Sequence, residues 1–470
     1  MSLALTYRHA LMLIVALFAS MSLGCQIEEP KLRAWSEDPN AQAKLASYAL
    51  DTQRPLPLRR VALESLVKQR RYNLLMTIFD LTSQRGEDAQ AQLRKIAEML
   101  VSVIDEMWSG GSLSLEAESH IAEVSFFLLN VDVMRAEFIR SPNLLKKLTR
   151  WALGYLNTDG RKVVPPAQDE EVLIKPQKLL TAVLYTAEEE EGEDDTLLME
   201  IFEDIKADQL KHIDNFNYTL RLHKSIDPLK NARLSKAFAS TFLKVAQHVH
   251  KNRPHAFTQE AFKAILDNGN MTLLRFLIEL GRDQEVIDQK VTKPQELIDS
   301  MYQVVKRAID NNFREEIRPS VFRVISSREA YPSVIFDGIY WAWALGDQSD
   351  LGVVLTKITP DFKVPVSGTE LRVKVNQVCA DISQPDKDQL SEQLEDLLVS
   401  LKDQDELWPA RLITVTCISQ LYPDGKLAEL MKKHKLYKNY QKDKKMILAW
   451  RSDREVTLGE IVRDYLDPTR

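Results

Sequence analysis

The sequence predicts an all-α fold, built as an α-solenoid of stacked antiparallel helix pairs. Glycine is scarce, 15 in 470 residues, against the roughly 7% typical of proteins, and β-rich chains need glycine for their many turns. Apolar residues recur at helical spacing along most of the chain, and no stretch of comparable length alternates with period two. Hydrophobic content of 44% with 28% charged residues argues for a folded chain rather than a disordered one. Its 470 residues suffice for several compact domains or one elongated array.

The elements follow in order. Residues 1–24 read as an export signal, and 25–39 as a polar tether with Pro30 and Pro39 and no regular apolar period. A first block of helical repeats spans 40–156. Its first helix runs from Asn40 through Leu45, Tyr48 and Ala49 and stops at Arg54-Pro-Leu-Pro57. The second carries Leu58, Val61, Ala62, Ser65 and Leu66, and the third runs from Tyr72 to Leu81 with Gly86 beyond its end. Leu93–Met107, Leu115–Phe138 and Leu144–Leu156 repeat the grammar. Residues 157–195 interrupt it: Asp159-Gly160, Pro165-Pro166 and the acidic run Glu188–Asp195 bracket one short helix at Leu179–Leu184. A second block of repeats fills 196–470, with helices at Thr196–Leu210, Leu234–Val249, Phe257–Leu266, Met271–Leu280, Pro294–Ile309 and Ile317–Ile325. Val334–Leu345, Gly368–Ile382, Leu390–Leu401, Pro409–Leu421, Lys426–His434 and Val456–Tyr465 complete it. Strands should be few, and Gly352–Val366 is the stretch that best fits one.

The N-terminus carries an address. Arg8 and His9 precede an apolar run from Ala10 to Ala19, too short to span a bilayer comfortably, and small residues follow. Ser22-Leu23-Gly24-Cys25 resembles the bacterial lipobox, with Ser22 where that family prefers leucine. The resemblance implies cleavage before Cys25, a diacylglycerol on its thiol and firm anchoring by several acyl chains. Gln26, rather than aspartate, after the cysteine implies sorting to the outer membrane. The expectation is an exported, membrane-anchored lipoprotein.

An internal repeat supports the solenoid. Asp51 opens the segment D-T-Q-R-P-L-P-L-R-R-V-A-L-E-S-L, in which Arg59 is followed by Ala62 at +3 and Leu66 at +7. A second copy from Asp403 places Pro409, Arg411, Thr414 and Ile418 at matching offsets. Between them Leu371-Arg372 carries Val375 and Cys379, and Arg372 lies 39 residues before Arg411. The pattern resembles the HEAT repeat of armadillo-type folds, whose units run about 40–47 residues. That resemblance implies a curved array whose neighbours share a core and whose surface binds proteins.

No catalytic motif accompanies it. The chain contains no G-x-S-x-G, phosphate-binding glycine loop or H-E-x-x-H. His248 and His250 would point about 200° apart on a helix, so they and His255 read as surface or packing residues. The acidic run lacks the spacing of a calcium loop. No cofactor or metal is expected. Trp151, Trp341 and Trp343 read as core or groove residues. Cys379 and Cys417 fall at nearly equivalent places on neighbouring repeats. Packed helices lie about 8–10 Å apart, whereas disulfide Cα atoms need to be within about 7 Å, so buried free thiols are expected.

Formal charge is −6, which argues against nucleic acid as a partner. The segment Lys426–Lys445 is locally basic: Lys432, Lys433, Lys435, Lys438, Lys442, Lys444 and Lys445 surround Tyr437 and Tyr440. It is the candidate binding patch, suited to anionic headgroups, wall polymers or an acidic protein. Two functions follow as expectations: a lipid-anchored scaffold that binds another envelope protein, or an envelope enzyme or ligand-binding lipoprotein whose site is assembled from distant residues.

Overall fold

The computed structural model describes residues 29–84, 88–110, 113–157, 175–189, 196–229, 231–253, 257–282, 294–327, 330, 332–347, 350–358, 368–383, 387–443, 446–451 and 454–467. They divide into two compact units, Met1–Ser235 and Lys236–Arg470. The described residues are almost wholly helical, with 24 α-helices and one two-stranded antiparallel sheet.

The first unit contains α1 (Glu29–Glu37), α2 (Gln42–Leu50), α3 (Leu56–Lys68), α4 (Tyr72–Ser83), α5 (Ala89–Ser109) and α6 (Leu115–Leu128). It continues with α7 (Asp132–Ile139), α8 (Pro142–Asn157), α9 (Pro176–Glu188), α10 (Thr196–Lys211) and α11 (Phe216–Ile226). Helix α12 (Ala232–Asn252) begins at its end. The second unit holds α13 (Gln259–Asn268), α14 (Met271–Glu279), α15 (Pro294–Asp310), α16 (Arg314–Ile325), α17 (Pro332–Ala344), α18 (Leu351–Thr356) and α19 (Gly368–Ile382). Then come α20 (Lys387–Ser400), α21 (Trp408–Leu421), α22 (Lys426–Lys433), α23 (Tyr437–Gln441), strands β1 (Met446–Arg451) and β2 (Arg454–Thr457), and α24 (Leu458–Leu466).

Local chemistry sets these boundaries. Asp51 closes the turn after α2 by accepting from the Gln53 amide at 3.0 Å and pairing with Arg54 at 2.9 Å, and Pro57 enters α3 where no amide is needed. Ser114, Asn215 and Asn270 cap α6, α11 and α14 through their side-chain oxygens. Gly269 ends α13 in the left-handed conformation, φ 67°. Thr457 and Glu460 form a reciprocal capping box on α24.

Within each unit the principal contacts of a helix are with the next helix and the one after. Helix α3 meets α2, α4 and α5, and α9 meets α8, α10 and α11. In the second unit α14 meets α16, α15 meets α17, and α17, α19 and α21 follow one another side by side. The apolar stripes face these contacts: Leu45, Ala49, Ala62, Leu63 and Leu66 are fully buried, as are Val304, Ile339, Val375 and Leu394. Helix α21 is buried on every side from Trp408 to Ile418.

Several expectations need correction. The supposed tether contains α1, whose Leu32 is fully buried against the fold and whose end is held by Gln69 through the carbonyls of Trp35 and Ser36. One leucine is too little for a periodic signal. The single helix expected over Leu115–Phe138 breaks into α6 and α7 around Asn130, where neither glycine nor proline marks the turn. Helix α11 lies in a segment read as connection. Gly352–Thr356, the start of the stretch expected to fit a strand, belongs to helix α18 (Leu351–Thr356), in which Leu351, Val354 and Leu355 bury at i, i+3 and i+4. The rest of that stretch to Ile358 is turn, and 359–367 lie outside the described residues, as do 158–174 and 190–195 of the expected insertion.

Candidate functional site

The signature arginines are structural. Arg59 is 2% exposed and donates Nε–H to the Ala49 carbonyl of α2 at 2.8 Å. Arg411 is fully buried, donates to the Asn439 carbonyl at 2.9 Å and stacks over Tyr440 at 4.5 Å. Arg372, the middle copy, is exposed. Cys379 and Cys417 correct a further expectation: they form a disulfide between α19 and α21, with Cα atoms 5.0 Å apart. The typical spacing of packed helices is a distance between axes, and two small residues facing each other let the backbones approach within bridging range.

Cys25, Lys444 and Lys445 lie outside the described residues. Of the remaining basic candidates, Lys432, Lys435, Lys438 and Lys442 are exposed along α22 and α23. Lys433 is spent on Glu395 at 2.6 Å, where His434 also arrives at 2.7 Å. Hydrogen bonds from Lys433 and His434 hold the Glu395 carboxyl below its usual range. The exposed acidic turn Asp403–Glu406 meets the same segment, with Asp403 2.6 Å from Asn439 Nδ2 and Asp405 paired with Arg411. Acidic neighbours therefore interleave with the lysines.

A more continuous surface lies on three neighbouring, alternate helices of the second unit, α15, α17 and α19. Tyr302 on α15 is 46% exposed and Val373 on α19 is 56% exposed, two of only six large hydrophobic residues so exposed among the described residues. Between them α17 presents Asp337 and Tyr340. Lys374 Nζ sits 3.1 Å from both Asp337 oxygens. Burial raises the Asp337 pKa, with Asp381 and Asp299 adding to the rise and Lys374 opposing it. Burial likewise raises Tyr340, with Asp381 and Tyr302 adding. Each group thus feels its neighbours across helix boundaries, and the three helices share one polar and aromatic face. Val373, Gln377 and Asp381 form its stripe on α19, with Gln377 donating to Asp381 at 2.8 Å.

A shallow cleft of about 340 Å³ opens elsewhere in the second unit, lined by Gln247, His250, Phe276, Glu279, Arg282 and Ser327 among others. His250 meets Phe257 and Phe276 edge-on at 6.0 and 6.2 Å. Glu279 is occupied, receiving Ser320 at 3.0 Å and Arg323 at 2.9 Å from α16. No group of three or more histidine, cysteine or carboxylate side chains among the described residues is placed to hold a metal ion.

In the first unit, the buried His120 meets the half-buried Tyr72 and Glu123. Tyr72 Oη lies 2.9 Å from Glu123 Oε2 and 3.1 Å from His120 Nδ1, and His120 Nε2 lies 2.7 Å from the Val67 carbonyl. His120 is 8% exposed, and burial, with Arg70 nearby, lowers its pKa to about 4. Burial raises Tyr72 and Glu123. Sequence reasoning missed this group: His120 and Glu123 share a face of α6, but nothing local points to Tyr72 as their partner. The three tryptophans singled out, Trp151, Trp341 and Trp343, are all buried. Compared with protein-family models, curated proteins and solved structures, the chain matches none.

Proposed function

We propose that this chain is a lipid-anchored scaffold of the bacterial envelope, a HEAT-like α-solenoid that binds another envelope protein through the α15–α17–α19 face. The observation that carries the reading is that face: Tyr302, Tyr340 and Val373 stand on the neighbouring helices α15, α17 and α19 among Asp299, Asp337 and Asp381. Tyrosines bordered by polar groups are the composition of protein interfaces. The contact of each helix with its two successors supports the solenoid, since stacked helix pairs bury their apolar stripes in that way.

The disulfide supports export, because such bonds persist in oxidising compartments such as the periplasm. Lipidation of Cys25 would hold the chain on the outer membrane. The alternative, an envelope enzyme or ligand-binding lipoprotein, gains little from the cleft. Its carboxylate is tied up by Ser320 and Arg323, and Tyr72, His120 and Asp337, whose pKa values move, lie elsewhere.

A photo-crosslinking residue placed at Tyr302 or Val373 in living cells tests the reading, with Leu115 of the first unit, 47% exposed, as control. One discrete adduct from positions 302 and 373, absent from 115 and lost in Cys25→Ala, is the expected result. Equal adducts from all three positions, or none, would overturn it.

A further inference from the structure

The Tyr72–His120–Glu123 cluster of the first unit can be counted in protons. The Val67 carbonyl only accepts, so His120 Nε2 carries a hydrogen and faces Val67 at 2.7 Å. Tyr72 Oη then stands between two groups that each either donate or accept, His120 Nδ1 at 3.1 Å and Glu123 Oε2 at 2.9 Å. A phenol has one hydrogen to give.

With one further proton in the chain every bond is made. Either the Glu123 carboxyl donates to Tyr72 and Tyr72 donates to Nδ1, or Nδ1–H donates to Tyr72 and Tyr72 donates to the carboxylate. With no such proton, carboxylate and imidazole compete for the single phenolic hydrogen, and one acceptor of this half-buried group loses its partner. With two, both neighbours donate to Tyr72, and its own hydrogen has no acceptor among the three. A polar group shielded from water that loses its partner is costly in either case.

We propose that Glu123, Tyr72 and His120 form an acid–base latch, which closes the junction of α3, α4 and α6 while they share one proton and loosens it when that proton is lost or a second arrives. Its members come from α4 and α6 and its outer anchor is a carbonyl of α3, so the latch spans three elements. The surroundings leave the proton to these groups. The turn between α3 and α4 contributes Arg70, which lies 3.7 Å from Glu116 and whose charge also opposes protonation of both Glu123 and His120. Helix α8 contributes Tyr155, which is 3.1 Å from Ser119. Helices α5 and α9, which also touch α6, set no charged group among the described residues against His120 or Glu123. The raised Glu123 and lowered His120 both favour the neutral form of the one-proton chain.

Hydrogen–deuterium exchange of the full chain, followed from pH 4 to 9 in peptides covering 64–75 and 115–125, tests the latch. The wild type should be most protected at an intermediate pH, losing protection about tenfold per broken hydrogen bond on either side. Tyr72→Phe keeps the ring stacked on Phe127, 4.8 Å away, and should flatten the profile. Glu123→Gln donates permanently to Tyr72, so it should abolish the alkaline limb and keep the acidic one. A wild-type profile without a maximum, or a maximum that survives Tyr72→Phe, overturns the proposal. Should Tyr72→Phe fail to fold, an alkaline limb retained in Glu123→Gln overturns it equally.

Discussion

Arg411 and Asp443 form an ion pair closed to water: Nη1 and Oδ2 lie 2.8 Å apart, and the two side chains are 0% and 3% exposed. The same guanidinium reaches the Asn439 carbonyl and the Tyr440 ring, while Tyr440 Oη donates to the Leu398 carbonyl at 2.8 Å. One side chain therefore staples the buried helix α21 to the segment that follows α22. Arg411→Met would strand the Asp443 charge in the interior, and breaking a buried pair from one side costs about 3–5 kcal/mol. Urea unfolding should report a loss of that size for Arg411→Met. The double variant Arg411→Met with Asp443→Asn should recover much of it, because no charge is then left alone.

The disulfide predicts a second stabilisation. Cys379 and Cys417 are both fully buried and close a loop of 38 residues, which in the chain-entropy account stabilises the fold by about 4 kcal/mol. Replacing both by alanine should lower the unfolding free energy by that order. Because neither residue meets solvent, reductant and a thiol-alkylating mass tag should leave the folded protein unmodified and label both residues once denaturant is added. Labelling of the folded protein at the same rate would contradict the burial.

His120 gives a stability that depends on pH, and the sign follows from its lowered pKa. Above pH 6.5 the imidazole is neutral in the folded and unfolded chain alike. Between 6.5 and about 4 the unfolded chain takes a proton that the folded one refuses, so stability falls as pH falls, by about 3 kcal/mol in all, and levels off below. Glu123 acts in the opposite sense. Its raised folded pKa means the folded chain takes up that proton first, which adds stability as pH falls through the raised value. Subtracting the pH profile of His120→Gln from that of the wild type isolates the histidine part, which should decline from neutrality towards pH 4. A flat difference would contradict the lowered pKa.

The helices were largely legible because their signal is local. Arg59, Ala62 and Leu66 recur at the spacing that puts them on one face, and all three are buried. What escaped is what depends on distance along the chain. Tyr72 and His120 are 48 residues apart, and Cys379 and Cys417 are 38 apart, so their meetings are set by how neighbouring helices dock rather than by spacing. The basic segment shows the opposite failure. Its lysines were easy to read, but Glu395 and Asp403, which temper them, come from α20 and the turn after it.

The first helix offers the last test, since a tether and a folded element respond differently to the same change. Leu32 is the one buried residue of its helix, and Lys31 beside it is exposed. Removing a buried leucine side chain costs about 2–5 kcal/mol, depending on how far the surroundings collapse, whereas truncating an exposed lysine costs close to nothing. Leu32→Ala should therefore lower the thermal midpoint of the purified chain and Lys31→Ala should not. Because α3 is the helix that α1 packs against, exchange at amides of α3 should rise in the first variant alone. Equal midpoints for the two variants would return residues 29–37 to the role of a leash.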